Sequence, residues 1–179
     1  DLYESFKANG ATLNKDDKEK YRKLSMDLSM LTLQFDQNAL KDKNRFELLI
    51  TDENELSGLP ERARDAAAML AKSKDKNGWL FNLSAPSYIP FMRYSDKRDL
   101  REKMYREYMS VGNKGDEFDN KDIILKFVNF RLEIAQLMGF KNYAEYALEH
   151  TMAKNSANVY KLLNQLLEAY KPIAINEYN

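Results

Sequence analysis

Apolar side chains recur at intervals of three and four residues along most of this chain, the spacing that places them on one face of an α-helix. The first such pattern predicts a long helix over 16–40, with a stripe of five residues: Tyr21, Leu24, Leu28, Leu31 and Phe35. Asp16 is the predicted N-cap, because Glu19 follows three residues later, as in a capping box. Three more apolar residues widen the surface: Met26, Met30 and Leu33. The helix is therefore expected to pack on more than one side.

Two short apolar runs predict β-strands, one over about 45–51 and one over 79–83. We expect them to pair antiparallel, with a helix in the connection that begins at Pro60, since proline suits the first helical position. A sheet of two strands is only marginally stable by itself in water, so we expect this ribbon to pack against helices.

The middle of the chain predicts two more helices. Pro86 and Pro90 bracket a tight entry into a short helix that runs through Tyr94. The second helix is predicted over 96–110, and four apolar residues mark one face of it: Leu100, Met104, Tyr108 and Val111.

After a polar loop, Asp119 is predicted to cap a helix that runs to Met138. Gly139 then stands where a left-handed C-cap residue belongs. Asn142 is predicted to cap a short helix, with Glu145 three residues further on.

The last helix is predicted to start near Ser156 and to carry a broad apolar face: Val159, Leu162, Leu163, Leu166, Leu167, Tyr170, Ile173 and Ala174. Pro172 is expected to kink this helix, because its ring removes a hydrogen bond and clashes one turn back. No glycine or basic cluster follows, so we expect the chain to be truncated from a longer one. We expect the isolated chain to expose this apolar face and to self-associate through it.

Arg131 lies on the apolar stripe of the preceding helix, together with four other residues: Ile124, Val128, Ala135 and Met138. An unpaired buried guanidinium is very costly. We therefore expect an acidic partner for Arg131, either within the fold or from sequence beyond this chain. The alternative is that Arg131 clamps a substrate.

These patterns together predict a mainly α fold: a multi-helix assembly with one small antiparallel β-ribbon, over 1–179 as one piece without an internal boundary. Hydrophobic residues make up 44% of the chain, so it can bury a core, and the 31% of charged residues suits long helices with solvated faces.

Basic and acidic residues balance at 28 each, so the chain has no net positive charge that would attract the phosphates of a nucleic acid. No run reaches the ~18 apolar residues of a membrane span. Neither nucleic acid nor a membrane is an expected partner.

The chain contains one histidine, His150, and no cysteine, which limits its chemistry. A zinc site needs three or four ligands, usually His and Cys with some acids. A cysteine nucleophile is excluded, and a Ser-His-Asp triad would need His150 as its base. We therefore predict no catalytic, cofactor-binding or metal-binding residue. His150 is interpreted as a helix-end residue, where a cation is mildly favoured.

Three pairs of carboxylates could in principle act as acid and base: Asp16 with Asp17, Asp116 with Glu117, and Glu145 with Glu149. Isolated acids of this kind are usually solvated surface groups, and we interpret them as such. The six glycines are scattered, and none forms the spacing of a phosphate-binding loop.

Several short phrases follow one another along the chain: LTLQFDQN at 31–38, ELSGLPE at 55–61, PSY at 86–88, FM at 91–92, LREKMY at 100–105, DN at 119–120, RLEIA at 131–135, MGFKNYA at 138–144 and MA at 152–153. Their order and spacing resemble the thimet oligopeptidase family of zinc metallopeptidases. Within the family, the phrases resemble the bacterial branch, with peptidyl-dipeptidase and oligopeptidase A. The resemblance runs from roughly Leu2 to the end of the chain.

The resemblance implies a mostly helical enzyme in which two halves flank a deep channel. Its zinc ligands lie on a His-Glu-x-x-His helix, where two histidines one turn apart reach one metal and the glutamate handles the proton of water. Nothing here matches that motif, because His150 has no second histidine four residues away. The resemblance thus implies zinc in the full-length parent and none in this chain. The parent would release C-terminal dipeptides from short peptides, and this chain would form part of its helical wall.

One alternative class remains open on composition alone. A helical interaction or adaptor module without enzymatic activity would have the same amphipathic helices, and only the ordered phrases favour the peptidase part. The expected partners are short peptides, for the parent, and the rest of the parent chain. We expect a cytoplasmic location, with the periplasm as the alternative, although the native N-terminus is not visible.

Overall fold

A computed structural model describes residues 2–178 and is mainly helical. The helices are α1 (Leu2–Ala8), α2 (Lys15–Arg45), α3 (Glu61–Ser73), α4 (Ala85–Tyr94), α5 (Arg98–Met109), α6 (Lys121–Leu137), α7 (Tyr143–Leu148) and α8 (Ser156–Tyr178). Two strands, β1 (Leu48–Ile50) and β2 (Trp79–Phe81), form the sheet, and a single 3₁₀ turn covers Glu53–Leu56. The predicted fold class is confirmed.

Helix α2 begins and ends outside the predicted range, and its predicted cap is wrong. The side-chain oxygen of Asn14 accepts a hydrogen bond from the backbone N–H of Asp17 at 2.9 Å. The Asn14 amide in turn donates to the Asp17 carboxylate at 2.7 Å. This reciprocal pair caps the helix two residues before Asp16, because asparagine and aspartate are both good N-caps and Asn14 has its partner at the right distance.

The predicted ribbon is confirmed, with shorter strands. β1 and β2 pair antiparallel, with Leu48 opposite Phe81 and Ile50 opposite Trp79. Leu48 and Ile50 are buried while Leu49 between them is exposed, because successive side chains of a strand point to opposite faces. The buried face joins a core of ten residues: Phe46, Leu48, Ile50, Leu56, Leu59, Ala67, Phe81, Leu83, Phe91 and Met104.

The ribbon connection contains the predicted helix, but Pro60 is its N-cap and not its first residue. Pro60 has extended backbone angles, and its carbonyl accepts the hydrogen bonds from Ala63 and Arg64. At the other end of the connection, Gly78 has φ +112°, and a Cβ there would lie 2.3 Å from the carbonyl oxygen of Ile50. Only glycine fits where the chain enters β2.

The predicted entry at Pro86 and Pro90 is already helical, which corrects that expectation. Helix α4 starts at Ala85, so Pro86 lies in the first turn, where a missing N–H costs nothing. Pro90 lies inside the helix. Phe91 of this helix is fully buried and meets the Phe81 ring edge-on, with the centroids 4.8 Å apart. This packing explains why a short helix with two prolines persists.

The predicted helix over 96–110 is observed as α5, and Met104 on its apolar face is fully buried. The end of α6 also follows the prediction. Gly139 has φ +84°, and Phe140 N–H donates to the carbonyl of Ala135 at 2.9 Å, which is the Schellman pattern. Asn142 caps α7 by accepting from the backbone N–H of Glu145 at 3.0 Å.

Two compact units divide the chain. One consists of residues 32–124 and holds the ribbon core. The other consists of the residues up to Leu31 and those from Leu125 onward. In that unit Ile134 and Ala135 of α6 are buried, and the Tyr146 hydroxyl donates to the carbonyl of Ala8 at 2.7 Å. The expectation of one piece without a boundary stays a prediction.

Candidate functional site

The single histidine has no metal-binding environment. His150 follows the end of α7, its side chain is 46% exposed, and its Nε2 lies 3.3 Å from a carboxylate oxygen of Glu149. Within residues 2–178, no group of three or more His, Cys, Asp or Glu side chains could hold a metal ion. Since zinc needs at least three protein ligands, the described residues do not fit the ion that the family resemblance implies.

The carboxylate pairs considered from the sequence have separate structural surroundings. Asp17 belongs to the α2 cap, and Asp116 pairs with the Arg45 guanidinium, which lowers the pKa of that carboxyl. Glu145 accepts a hydrogen bond from the hydroxyl of Ser156, at the start of α8. Asp16 and Glu117 are exposed. None of the three pairs has the shared, water-excluding site that acid and base catalysis needs.

Arg131 has no acidic partner among the ion pairs of residues 2–178, so a partner from sequence beyond this chain stays a prediction. Its guanidinium lies over the ring of Phe127, 4.1 Å from the centroid, and over the ring of Tyr143, 4.9 Å from the centroid. Its Nε is buried and has no hydrogen-bond partner among the described residues. The two ring faces attract the cation, but they give Nε–H no acceptor.

A buried carboxylate that the sequence did not predict lies in the unit of residues 32–124. Asp42 is fully buried on α2. It accepts hydrogen bonds from the backbone N–H of Gly112 at 2.7 Å and from the Lys114 ammonium at 3.0 Å, and it pairs with Nε of Arg45 at 2.7 Å. Lys114 also contacts Glu107 at 2.8 Å. These groups hold the loop after α5 on the end of α2.

The electrostatics of Asp42 follow from these contacts. Burial alone would raise its pKa, because desolvation disfavours the charged form. The hydrogen bonds from Gly112 and Lys114, together with the charges of Lys114 and Arg45, outweigh burial and lower the pKa of Asp42 below its ordinary value. The carboxylate is therefore ionised at neutral pH and stabilises the loop.

A pair of asparagines continues this polar contact. The Asn38 amide donates to the side-chain oxygen of Asn120 at 3.0 Å, and the Asn120 amide donates to the carbonyl of Phe35 at 3.1 Å. A sequence signal existed for this cluster. After Phe35, the spacing of three and four residues continues through Asn38 and Asp42, so polar side chains occupy positions on the inward face. The cluster is fully paired and has no free nucleophile, so its role is structural.

One open cleft lies within the unit that contains α6. Its volume is about 700 Å³, and it is lined by residues of both α2 and α6, including Lys20, Lys23, Asp27, Glu133 and Phe130. Side chains of both charges line it. The lining holds no histidine, and no group of three side chains that could hold a metal ion occurs within the described residues.

Helix α8 presents an apolar face that nothing in the described chain covers. The predicted start at Ser156 is confirmed, and the helix continues through Pro172. Every described residue from Tyr160 to Tyr178 is exposed, and Leu162, Leu167 and Ile173 are each more than half exposed, at 57%, 60% and 52%. The expectation that this face is exposed is confirmed. Contiguous exposed apolar faces of this length are typical of interaction sites.

Comparison with known proteins identifies the class to which this helical chain belongs. Residues 91–179 match the sequence model of Peptidase family M3. The chain is 38% identical over 171 residues to oligopeptidase A of Haemophilus influenzae, an alignment that covers 93% of this chain and 25% of that protein. It is 40% identical over 152 residues to the probable cytosolic oligopeptidase A of Arabidopsis thaliana, which covers 81% of this chain and 22% of the relative.

A more distant relative is the dipeptidyl carboxypeptidase of Escherichia coli, 29% identical over 177 residues that cover 98% of this chain and 26% of the relative. These matches define a peptidase sequence. The chain belongs to the thimet oligopeptidase family, peptidase family M3. It spans about a quarter of the length of the curated relatives that it matches.

Proposed function

We propose that this chain is a non-catalytic helical part of a zinc-dependent oligopeptidase. It forms part of the wall of the channel that admits short peptides and excludes folded proteins. The complete enzyme releases dipeptides from the C-termini of its substrates. Support for the substrate class comes from relatives named oligopeptidase A and dipeptidyl carboxypeptidase.

The exposed apolar face of α8 is the observation that carries this proposal. Burying one large apolar side chain contributes about 1.5–3 kcal/mol, and this helix exposes several of them along five turns. Most of the stability of a helix in a protein comes from tertiary packing of its apolar face. The face therefore needs a cover, and relatives about four times as long as this chain have further sequence to supply it.

The zinc site belongs to residues outside this chain under the proposal. When bound, zinc polarises a peptide carbonyl and activates water. Under the proposal the described residues contribute no ligand to it, since His150 is exposed next to Glu149 and no group of three possible ligands occurs within residues 2–178. Their contribution is to position helices and to hold the surface on which the remaining sequence packs.

Zinc content and peptidase activity test the proposal when two proteins are compared. The chain of 179 residues and the full-length polypeptide from the same source are dialysed against buffer without metal and assayed with a blocked short peptide. We expect about one zinc and dipeptide release from the full-length protein, and neither from this chain. Zinc retained by the 179 residues, or peptide cleavage by them, would show that the proposal is wrong.

The second candidate is a helical adaptor without enzymatic activity, which the exposed α8 face also fits. The source reading frame separates the two. A frame that continues into a His-Glu-x-x-His helix supports the peptidase, whereas a stop codon close after this chain supports the adaptor. We propose a cytoplasmic location for the enzyme, with the periplasm as the alternative, and cell fractionation tests it.

A further inference from the structure

A second uncovered apolar face lies on α6, and Arg131 stands at its edge. On this helix, Leu125, Val128 and Leu132 are exposed at 63%, 59% and 38%. They are spaced so that they share one side of the helix. Arg131 precedes Leu132 and follows Val128 by three residues. Ile134 is buried on a different side. The outer apolar side of α6 therefore combines aliphatic residues with one cation.

The Arg131 side chain contacts two aromatic rings, but its hydrogen-bonding capacity is not fully used. Phe127 lies one turn before it on the same helix, and Tyr143 comes from α7. Both rings contact the guanidinium, but neither gives Nε–H a hydrogen-bond acceptor. Its Nε is buried and unpartnered, and none of the ion pairs within residues 2–178 includes Arg131. A guanidinium has five N–H donors and no acceptor, so this arrangement is complementary to a carboxylate.

We propose that a further segment of the same polypeptide, absent from this chain, packs on the Leu125, Val128 and Leu132 side of α6 and places an Asp or Glu carboxylate on Arg131. This inference rests on the proposed function, since it requires the longer polypeptide. The segment is apolar with one acid, because it meets three aliphatic side chains and one cation. Burial of the aliphatic residues supplies the attraction, and the ion pair fixes the register.

The pairing predicts a larger effect than aromatic packing alone. If only the two rings contact Arg131, replacing it with methionine loses the attraction between cation and ring but also removes a partly desolvated charge, and methionine still packs on the rings. The two contributions offset each other, so the change in stability is small. If a carboxylate is paired with Arg131 in the full-length protein, the same change leaves that carboxylate buried without a partner, which is strongly destabilising.

The experiment compares Arg131→Met, Arg131→Lys and Lys126→Met in the full-length polypeptide. Lys126 lies on the exposed polar side of the same helix, so its variant controls for the loss of a cation from α6. The half-life of the protein at a fixed denaturing temperature is measured, together with kcat and KM for a short peptide. We expect Arg131→Met to shorten the half-life by about tenfold or more, Arg131→Lys by less, and Lys126→Met to leave it unchanged.

Two results would overturn the proposal. An unchanged or longer half-life for Arg131→Met would mean that no carboxylate depends on Arg131. An unchanged half-life with a raised KM would assign Arg131 to the carboxylate of the peptide substrate. The unsubstituted full-length protein is assayed alongside, so absence of peptidase activity there would count against the proposed function and not against the ion pair.

Discussion

The ribbon core of residues 32–124 and helix α8 contain the same kinds of apolar residues with opposite surroundings. Leu80, Leu83 and Phe91 are at most 1% exposed, whereas Leu162, Leu163 and Leu167 are 57%, 51% and 60% exposed. The periodic pattern is equally clear in both regions. What differs is the partner, because a strand pair and three helices meet in the core, whereas no residue within 2–178 covers the apolar face of α8. Periodicity shows that a face is to be buried, and only the fold shows whether this chain buries it.

The largest expected effect is in the ribbon core. Phe91→Ala removes a fully buried ring that meets Phe81 edge-on, so we expect the free energy of unfolding of the chain to fall by about 3–5 kcal/mol. Urea denaturation followed by circular dichroism measures it. Ile89→Ala, at a residue of the same helix that is 58% exposed, is the matched control and should cost much less. Equal losses for the two variants would mean that α4 does not pack as described.

The next effect concerns the buried carboxylate of the same unit. Asp42→Asn leaves Lys114 and Arg45 without their charged partner, and we expect a loss of about 2–3 kcal/mol, reduced because both cations reach solvent. Asp36→Asn, at an exposed position of the same helix, is the control and should change the free energy of unfolding by less than about 0.5 kcal/mol. A loss for Asp42→Asn no larger than this would refute the structural role of the cluster.

Acid should weaken the loop that these carboxylates hold. The pKa of Asp42 is lowered, and the Lys121 ammonium with the backbone N–H groups of Lys121 and Gly115 lowers the pKa of Asp119 to about 2. A carboxyl with a depressed folded pKa stabilises above its unfolded pKa of about 3.9, and that contribution is lost as the pH falls through the folded value. We expect stability to fall between about pH 4 and pH 2, and less steeply in Asp42→Asn and Asp119→Asn. If the free energy of unfolding fell as steeply with pH in both variants as in the unsubstituted chain, Asp42 and Asp119 would not be the source of the acid sensitivity.

The smallest effect on stability is expected on α8, where the consequence appears in association. Leu162→Ala should change the free energy of unfolding of the chain by no more than about 0.5 kcal/mol, because the side chain is already 57% exposed. Sedimentation of the unsubstituted chain should show concentration-dependent self-association through the apolar face. Leu163→Glu with Leu167→Glu should abolish it, and Asn164→Glu with Gln165→Glu on the polar side should not. Sedimentation as a monomer over a wide concentration range would contradict self-association through the α8 face.

Local signals predicted the elements well where the chemistry is local. The Gly139 C-cap, the Asn142 cap and the ribbon depend on neighbouring residues and a simple period. The pattern predicts the cap of α2 at Asp16, because Glu19 follows it by three residues. Asn14 forms the observed cap through its pairing with Asp17. Two good cap residues only two positions apart, each followed by an acid three residues later, cannot be separated by pattern alone.

The polar contacts were harder to predict because their partners are distant in sequence. Asp42 meets Gly112 and Lys114 some seventy residues away, and periodicity does not identify such partners. For Arg131, the pattern indicates that a partner is needed, and within the described residues that partner is a pair of aromatic rings and not an acid. Phe127, four residues earlier, was a visible candidate, whereas Tyr143 depends on how α7 packs.

Hydrogen exchange of α8 tests most directly whether this chain is one part of a larger enzyme. The amides of Ser156–Tyr178 are compared by mass spectrometry between the chain alone and the full-length polypeptide. If the remaining sequence covers the apolar face, exchange in this helix is fast in the chain alone and slower by orders of magnitude in the full-length protein. Equally fast exchange in both proteins would contradict the account, because the face would then be left uncovered by the very sequence that is proposed to pack on it.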